Sequence, residues 1–209
     1  MKMKKSAAIL TLLFAALSLP ALAADESRIH VCNRQLCNGS RVISAPLPEA
    51  ALGVIAFQIS ADGSRVAYLA DQQHRTVFEL FAVASSGGPV VRLNAPLPPF
   101  LPFSDYDVAP DFRFAGSRVA YRVVRIALGI SDLWSVRETG GPAVRLSPPL
   151  LPGQHVERFE VLSDSYLRYE ADLYSPGVLL WYVVPTDGND ATHEIFRDGF
   201  ASGSTSLWR

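Results

Sequence analysis

The sequence predicts an all-β protein built from a repeated unit of four antiparallel strands. Three observations lead to this prediction: a hexapeptide that recurs letter for letter, strand-like segments that follow each copy, and glycine- and proline-containing turns between them. The 15 prolines and 14 glycines are spread along all 209 residues, and aromatic and β-branched residues are frequent between them. Such a composition favours many short strands over helices.

The first 23 residues have the layout of a secretory signal peptide. Three lysines lie within the first five residues, an apolar run follows over 7–19, and Ala21-Leu22-Ala23 is a small-x-small cleavage site. The apolar run is too short for a comfortable membrane span. The alternative to a signal peptide is a buried N-terminal helix. We expect cleavage after Ala23, a periplasmic or extracellular location, and no membrane span in the mature chain.

The two cysteines, Cys32 and Cys37, are expected to form a local disulfide. Export would place them in an oxidising compartment, and the four residues between them suit a hairpin turn. Closing so short a loop removes little chain entropy, so we expect modest stabilisation. A metal site is the weaker alternative, because two cysteines supply too few ligands and no Cys-x-x-Cys motif is present.

The repeat is clearest at one turn and the strand after it. The hexapeptide Gly63–Tyr68 recurs as Gly116–Tyr121, and Asp164–Tyr169 is a looser third copy. Asp62 and Gly63 form a tight-turn sequence, because aspartate can bond its own backbone and glycine accepts a positive φ. Gly116 takes the same place in the second copy.

Other strand-like segments flank each copy of this turn. The segments before it are 54–59, 107–112 and 156–161. The segments after its strand are 79–83, 132–136 and 179–183. The turns that follow contain Gly87 and Gly88, Gly140 and Gly141, and Asp187-Gly188. Fourth strands are predicted at 90–93, 143–146 and, in degraded form, 191–196.

Four antiparallel strands in about fifty residues have the size and strand count of a propeller blade. Along Arg65–Ala70 both alternating sets contain apolar residues, as expected when a blade packs against a neighbour on each face. We therefore predict a partial β-propeller of about three four-stranded antiparallel blades plus an N-terminal half blade of two strands. The predicted boundaries are 28–44 for the half blade, about 45–94, 95–147 and 148–196 for the blades, and 197–209 for a C-terminal tail.

The segment Ile59–Tyr68, followed by Glu79-Leu80-Phe81 and Gly87-Gly88, resembles the WD40-like (PD40) repeat of TolB-type β-propellers. The resemblance covers about residues 45–196, and in the second unit Ala115 replaces the turn aspartate. It implies a propeller fold and association with periplasmic protein contacts, and it says little about a specific function. The segment from Glu194 to Trp208 resembles a short tail at the end of many bacterial secreted proteins, which implies a natural chain end.

Sequence motifs that carry chemistry are not found. The chain has no Gly-x-Ser-x-Gly nucleophile elbow, no phosphate-binding loop and no His-Glu-x-x-His motif. We therefore expect no catalytic residue, no cofactor and no metal. The histidines are expected to be solvated loop residues at positions His30, His74, His155 and His193.

Three charged groups are candidates for a site. Asp187-Gly188-Asn189-Asp190 is a candidate calcium loop, although an ordinary Asp/Gly/Asn turn is the favoured interpretation. Paired carboxylates at Asp105, Asp107 and Asp111 resemble those of a glycosidase, but we interpret them as turn and solvation residues. The arginines expected to be strand-surface charges are Arg122, Arg125, Arg137 and Arg145.

The net charge of −1 gives no basic stripe for nucleic acid. We expect a non-catalytic binding or scaffold module with a protein partner. The alternatives are a degenerate remnant of a longer propeller and a hydrolase with its site in the channel. Three and a half blades do not close a ring. Two chains could form a closed ring together, or the half blade at 28–44 could close a small, strained ring with the C-terminal strands. Since uncovered blade faces are expected to be apolar, we expect self-association that completes the propeller.

Overall fold

A computed structural model describes residues 28–97, 106–175, 177–189 and 194–196. The predicted signal peptide, the C-terminal tail, Asp105, Asp190 and His193 lie outside the described residues. Among the residues that are described, no helix is long and apolar enough to cross a membrane.

The protein is all-β and contains four antiparallel sheets. The N-terminal sheet has strands β1 (Ile29–Cys32), β2 (Gln35–Asn38) and β3 (Arg41–Val42). Blade 1 has strands β4 (Val54–Ile59), β5 (Arg65–His74), β6 (Val77–Ala84) and β7 (Val91–Arg92). Blade 2 has strands β8 (Tyr106–Val108), β9 (Arg113–Ala115), β10 (Arg118–Arg125), β11 (Ile130–Arg137) and β12 (Val144–Arg145). Blade 3 has strands β13 (Val156–Val161), β14 (Tyr166–Ala171), β15 (Leu180–Pro185) and β16 (Glu194–Phe196).

Within every sheet, each strand pairs with the strand that follows it, apart from the split first strand of blade 2. This meander of short antiparallel strands is the blade architecture of a propeller. The predicted fold class, a partial propeller of three blades with an incomplete N-terminal blade, is confirmed. The predicted disulfide between Cys32 and Cys37 is also present. It joins neighbouring strands across a turn at Asn33 and Arg34, where both residues have positive φ.

Two predicted strand assignments are wrong. The N-terminal sheet has three strands where two were expected, because the short segment Arg41–Val42 also pairs with β2. The first strand of blade 2 is split, and Tyr106–Val108 and Arg113–Ala115 both pair with β10. Pro110 lies in the gap between them, and proline has no N–H to continue a ladder.

The predicted alignment of the third strand in the third repeat is wrong by one residue, because the ranges 132–136 and 179–183 match Trp181 with Trp134. Tyr169 pairs with Tyr182, just as Tyr68 pairs with Phe81 and Tyr121 with Trp134. Tyr182 is therefore the equivalent of Trp134, whereas the sequence had placed Trp181 there. The neighbouring Trp181 is thus the equivalent of Leu133.

The core consists of three apolar layers, one between each pair of neighbouring sheets. Each layer contains one leucine, from β2 of the N-terminal sheet or from the third strand of a blade, and one tyrosine from the second strand of the next blade. The leucine–tyrosine sets are Leu36 with Tyr68, Leu80 with Tyr121, and Leu133 with Tyr169. All six side chains are fully buried. Because side chains alternate along a strand, each complete inner blade buries both of its faces.

The same hydrogen bond recurs at the end of the N-terminal sheet, of blade 1 and of blade 2. The backbone N–H of Leu36 donates to Ser44 Oγ at 3.1 Å, that of Leu80 to Asn94 Oδ1 at 2.8 Å, and that of Leu133 to Ser147 Oγ at 3.2 Å. The same three sheets share a backbone bond from the residue before the acceptor to the leucine carbonyl. This device aligns β1–β3 with the second to fourth strands of the complete blades.

Replacing the buried leucine of one layer is expected to destabilise the whole stack. Leu133→Ala removes a fully buried side chain between blades 2 and 3, and a cavity of this kind costs about 2–5 kcal/mol. The matched control is Leu151→Ala, since Leu151 is 66% exposed and surface changes cost within about 0.5 kcal/mol. Urea unfolding followed by tryptophan fluorescence measures both, and equal effects of the two substitutions would contradict the layer assignment.

Candidate functional site at the loop face of blades 2 and 3

The meander gives the sheet stack two different ends. One end, called the turn face here, carries the turns after the first and third strands of each blade. The opposite end, called the loop face, carries the second-to-third-strand turns and the linkers between blades. Functional loops of rigid β-scaffolds are concentrated at such ends.

Buried carboxylates hold the loops of the loop face. Asp71 accepts backbone N–H groups from Leu52 at 2.9 Å, Gly53 at 2.7 Å and Thr76 at 3.1 Å. It therefore ties the linker before blade 1 to the turn after β5. Burial by itself would raise the pKa of Asp71, but the three donors outweigh it, and the pKa is lowered.

Asp172 does the same work at the equivalent position of blade 3. It accepts the N–H of His155 at 2.7 Å and that of Gly177 at 3.1 Å. Burial opposes ionisation here too, but these donors and the nearby His155 ring outweigh it, and the pKa of Asp172 is lowered. In blade 2 the equivalent residue is Val124, and no carboxylate takes this place.

Of the three acidic residues considered in the sequence, Asp107 and Asp111 are described, and each accepts a hydrogen bond from another segment. Asp107 accepts the N–H of Phe78 from blade 1 at 2.8 Å, and burial raises the pKa of its carboxyl group. Asp111 accepts Arg122 Nε at 2.8 Å. Both carboxylates therefore have structural partners, and one of them joins two blades.

The arginines expected to be surface charges are mostly half-buried and paired, which corrects that prediction. Arg122 also donates to the carbonyl of Val156 at 2.8 Å, which links blade 2 to blade 3. Asp132 accepts Arg125 at 3.2 Å and forms a second ion pair with Arg145. In blade 1, Glu79 and Arg92 make the equivalent pair at 3.1 Å. Arg137 alone of the four has an exposed side chain.

Above these anchors, three loops place apolar side chains in solvent. The 3₁₀ turn Ile126–Leu128 follows β10, the linker contains Leu151, and the segment 172–179 follows β14. Hydrogen bonds join the three loops: Gly153 N–H donates to the carbonyl of Leu128 at 3.3 Å, and Gln154 Nε2 to that of Leu173 at 2.8 Å. The apolar loop patch is defined as Ile126, Leu128, Leu151, Tyr174 and Val178.

All five side chains of the patch are exposed. Leu151 is 66% exposed and Tyr174 is 69% exposed, and the other three members are also exposed. Single exposed apolar residues are common on protein surfaces, and these five lie on loops that hydrogen bonds join. Sequence reasoning missed this patch, because apolar letters between strands do not reveal whether the fold covers them.

The turn face carries the glycines that the sequence singled out. All of them have positive φ, namely Gly63, Gly87, Gly88, Gly116, Gly140 and Gly141. Two of these turns sit tightly against the blade before them, because a Cβ at Gly140 would overlap Val91 and one at Gly188 would overlap Val144. Asp62 accepts Ser60 Oγ at 2.6 Å and Ser64 N–H at 3.0 Å, and these bonds lower its pKa to about 2.

The candidate calcium loop forms a local turn as far as it is described. Asp187 accepts both the backbone N–H and the side-chain Nδ2 of Asn189, at 3.0 and 2.9 Å. Across the described residues, no group of three or more His, Cys, Asp or Glu side chains is placed to hold a metal ion. His155 Nε2 lies 3.1 Å from Glu157 Oε2, and His30 is an exposed strand residue.

No protein-family model matches the chain, and no curated protein matches it. Among solved structures, TolB of Agrobacterium tumefaciens is similar at 16% identity and a TM-score of 0.43, over 73% of this chain and 52% of that one. A prolyl endopeptidase is similar at 16% identity and a TM-score of 0.41, over 74% of this chain and 22% of that one. The chain thus spans about half the length of the first protein. Such similarity carries no argument about activity.

Acid should weaken the loop anchors. The pKa values of Asp71 and Asp172 are lowered in the folded state, so their stabilisation is complete above the unfolded value of about 4 and is lost as pH falls through the folded value. We expect Asp71→Asn or Asp172→Asn to cost about 1–3 kcal/mol at pH 7. That cost should shrink when unfolding is measured at pH 3. The exposed Glu49→Gln is the control, and a cost that does not change with pH would contradict the ionised-anchor account.

Proposed function

We propose that the chain is an exported, non-catalytic propeller module that binds a protein partner through the apolar loop patch. The observation that carries the proposal is the joined set of exposed apolar side chains on the loop face. Protein interfaces have an apolar centre in which tyrosine is enriched, and Tyr174 is the most exposed member of the patch.

Preorganisation of the loops supports this proposal. Asp172 fixes the start of the third loop through two backbone bonds, and Gln154 fixes the linker through two more: it accepts Leu151 N–H at 2.8 Å and donates to Leu173. Loops held in this way lose little conformational freedom when a partner binds, so less of the contact energy is spent on ordering.

The binding proposal is tested by photocrosslinking with a matched pair of tyrosine positions. A benzophenone amino acid replaces Tyr174 on the loop face or Tyr166, which is exposed on the turn face. A crosslinked protein partner is expected from position 174 and not from position 166. The crosslinked partner is then identified by mass spectrometry and purified.

The affinity of the purified partner gives the second part of the test. Leu151→Asp places a charge in the patch and is expected to weaken binding by at least tenfold in isothermal titration calorimetry. Leu162→Asp, an exposed leucine on the turn face, is expected to leave the affinity unchanged. Equal affinities for wild type and Leu151→Asp, or crosslinks from position 166 alone, would refute the proposed surface.

Export is supported by the N-terminal sequence pattern and by the disulfide, which persists in an oxidising compartment. The full chain expressed in a Gram-negative host should be recovered from the periplasm or medium. Its intact mass should correspond to a chain that starts at Ala24 and lacks two hydrogens, as expected for an oxidised cysteine pair. An uncleaved chain retained in the cytoplasm would contradict this part of the proposal.

A further inference from the structure

The two inner blades present apolar side chains to the blade that follows them. In blade 1 these positions are occupied by Ala56, Ala67, Leu69 and Leu80, and all four lie in the layer shared with blade 2. In blade 2 the positions of Ala67 and Leu80 are held by Ala120 and Leu133, which lie in the layer shared with blade 3. The position of Leu69 is held by the half-buried Arg122, which donates to the carbonyl of Val156 in blade 3. An apolar face of this kind is what allows one sheet to be stacked on the next.

Blade 3 has different chemistry at the same four positions. The strand register gives Arg158 for Ala56, Arg168 for Ala67, Glu170 for Leu69 and Trp181 for Leu80. Its other face buries Phe159, Leu167, Tyr169 and Tyr182 in the layer shared with blade 2. Blade 3 therefore has one apolar face and one charged face.

The charged face is organised around the tryptophan. Arg158 Nε donates to Glu170 Oε2 at 2.8 Å, and Arg168 Nε donates to Glu160 Oε2 at 2.8 Å. The guanidinium carbons of the two arginines lie 5.1 and 4.6 Å from the centre of the Trp181 ring. Both distances are within cation–π range. The two arginines thus lie over the Trp181 ring and keep their guanidinium groups partly hydrated. Tyr166, two residues before Arg168 on β14, shares this face and is 50% exposed.

We propose that the charged face of blade 3 is a cap that does not accept a blade from a second copy of the chain. Packing a blade here would remove water from two arginines and two glutamates, and such desolvation is poorly repaid by surface ion pairs. Arg158 is 60% exposed, so its charge is solvated. Terminal repeats of stacked proteins carry a polar outer face for the same reason. Four charged residues lie on this face, whereas the sequence analysis expected an uncovered face to be apolar. The proposal goes beyond the proposed partner binding.

The test restores the residues of blade 1 on this face. The variant Arg158→Ala, Glu160→Gln, Arg168→Ala and Glu170→Leu removes the charges and leaves Trp181 in place. Light scattering coupled to size exclusion should show a monomer for the wild-type mature chain and concentration-dependent self-association for this variant. A folded variant that stays monomeric would overturn the proposal, because the charges would then not be what keeps this face uncovered.

Two further measurements keep the result interpretable. The swap Arg158→Glu with Glu170→Arg retains the opposite charges and should stay monomeric, and circular dichroism checks that each variant is folded. In the wild-type background, a benzophenone amino acid at position 160 should give no crosslink between two copies. Such a crosslink, or a wild-type dimer that the charge removal dissociates, would show that this face is an interface and would overturn the cap.

Discussion

The structure depends on burial of leucine and tyrosine between neighbouring sheets. Each layer receives a leucine from one sheet, on β2 or on the third strand of a blade, and a tyrosine from the second strand of the next sheet. Neither sheet can bury these side chains by itself, because each residue points away from its own strand plane toward a neighbour. The sheets are therefore stable as a stack, and the number of layers limits the stability of the molecule.

Close turn packing and hydrogen bonds hold the turns and loops at the two ends of this stack. At the turn face, glycines allow the turn of one blade to lie against the fourth strand of the blade before it, as Gly140 does with Val91. At the loop face, buried carboxylates satisfy backbone N–H groups that the linkers leave unpaired. Blade 2 has valine at the anchor position, and its turn instead bonds to the next linker through Leu128. The apolar loop patch lies where these two arrangements meet.

The same repeat serves two ends with different requirements. Within blade 1, the ion pair Glu79–Arg92 is mostly buried. On the charged face of blade 3, the two arginines of the ion pairs are exposed and lie over Trp181, while Glu170 is half-buried. The strand positions of Ala67 and Leu80 therefore form a face that packs on the next blade where alanine and leucine occupy them. The same positions form a hydrated face in blade 3, where Arg168 and Trp181 occupy them.

The sequence by itself determined the strand-rich class, the repeat and the disulfide, because turn residues and alternating side chains act locally. The hexapeptides Gly63–Tyr68 and Gly116–Tyr121 are identical in sequence, and they lead into the equivalent strands β5 and β10. Tertiary structure decided what depends on neighbours. Hydrogen-bond register moved Tyr182 into the place given to Trp181, and packing decided that Leu133 is covered while Leu151 is exposed. Tertiary structure also decided that the charged residues of blade 3 lie on its solvent-exposed face, because the neighbouring sheets determine which side of a strand is buried.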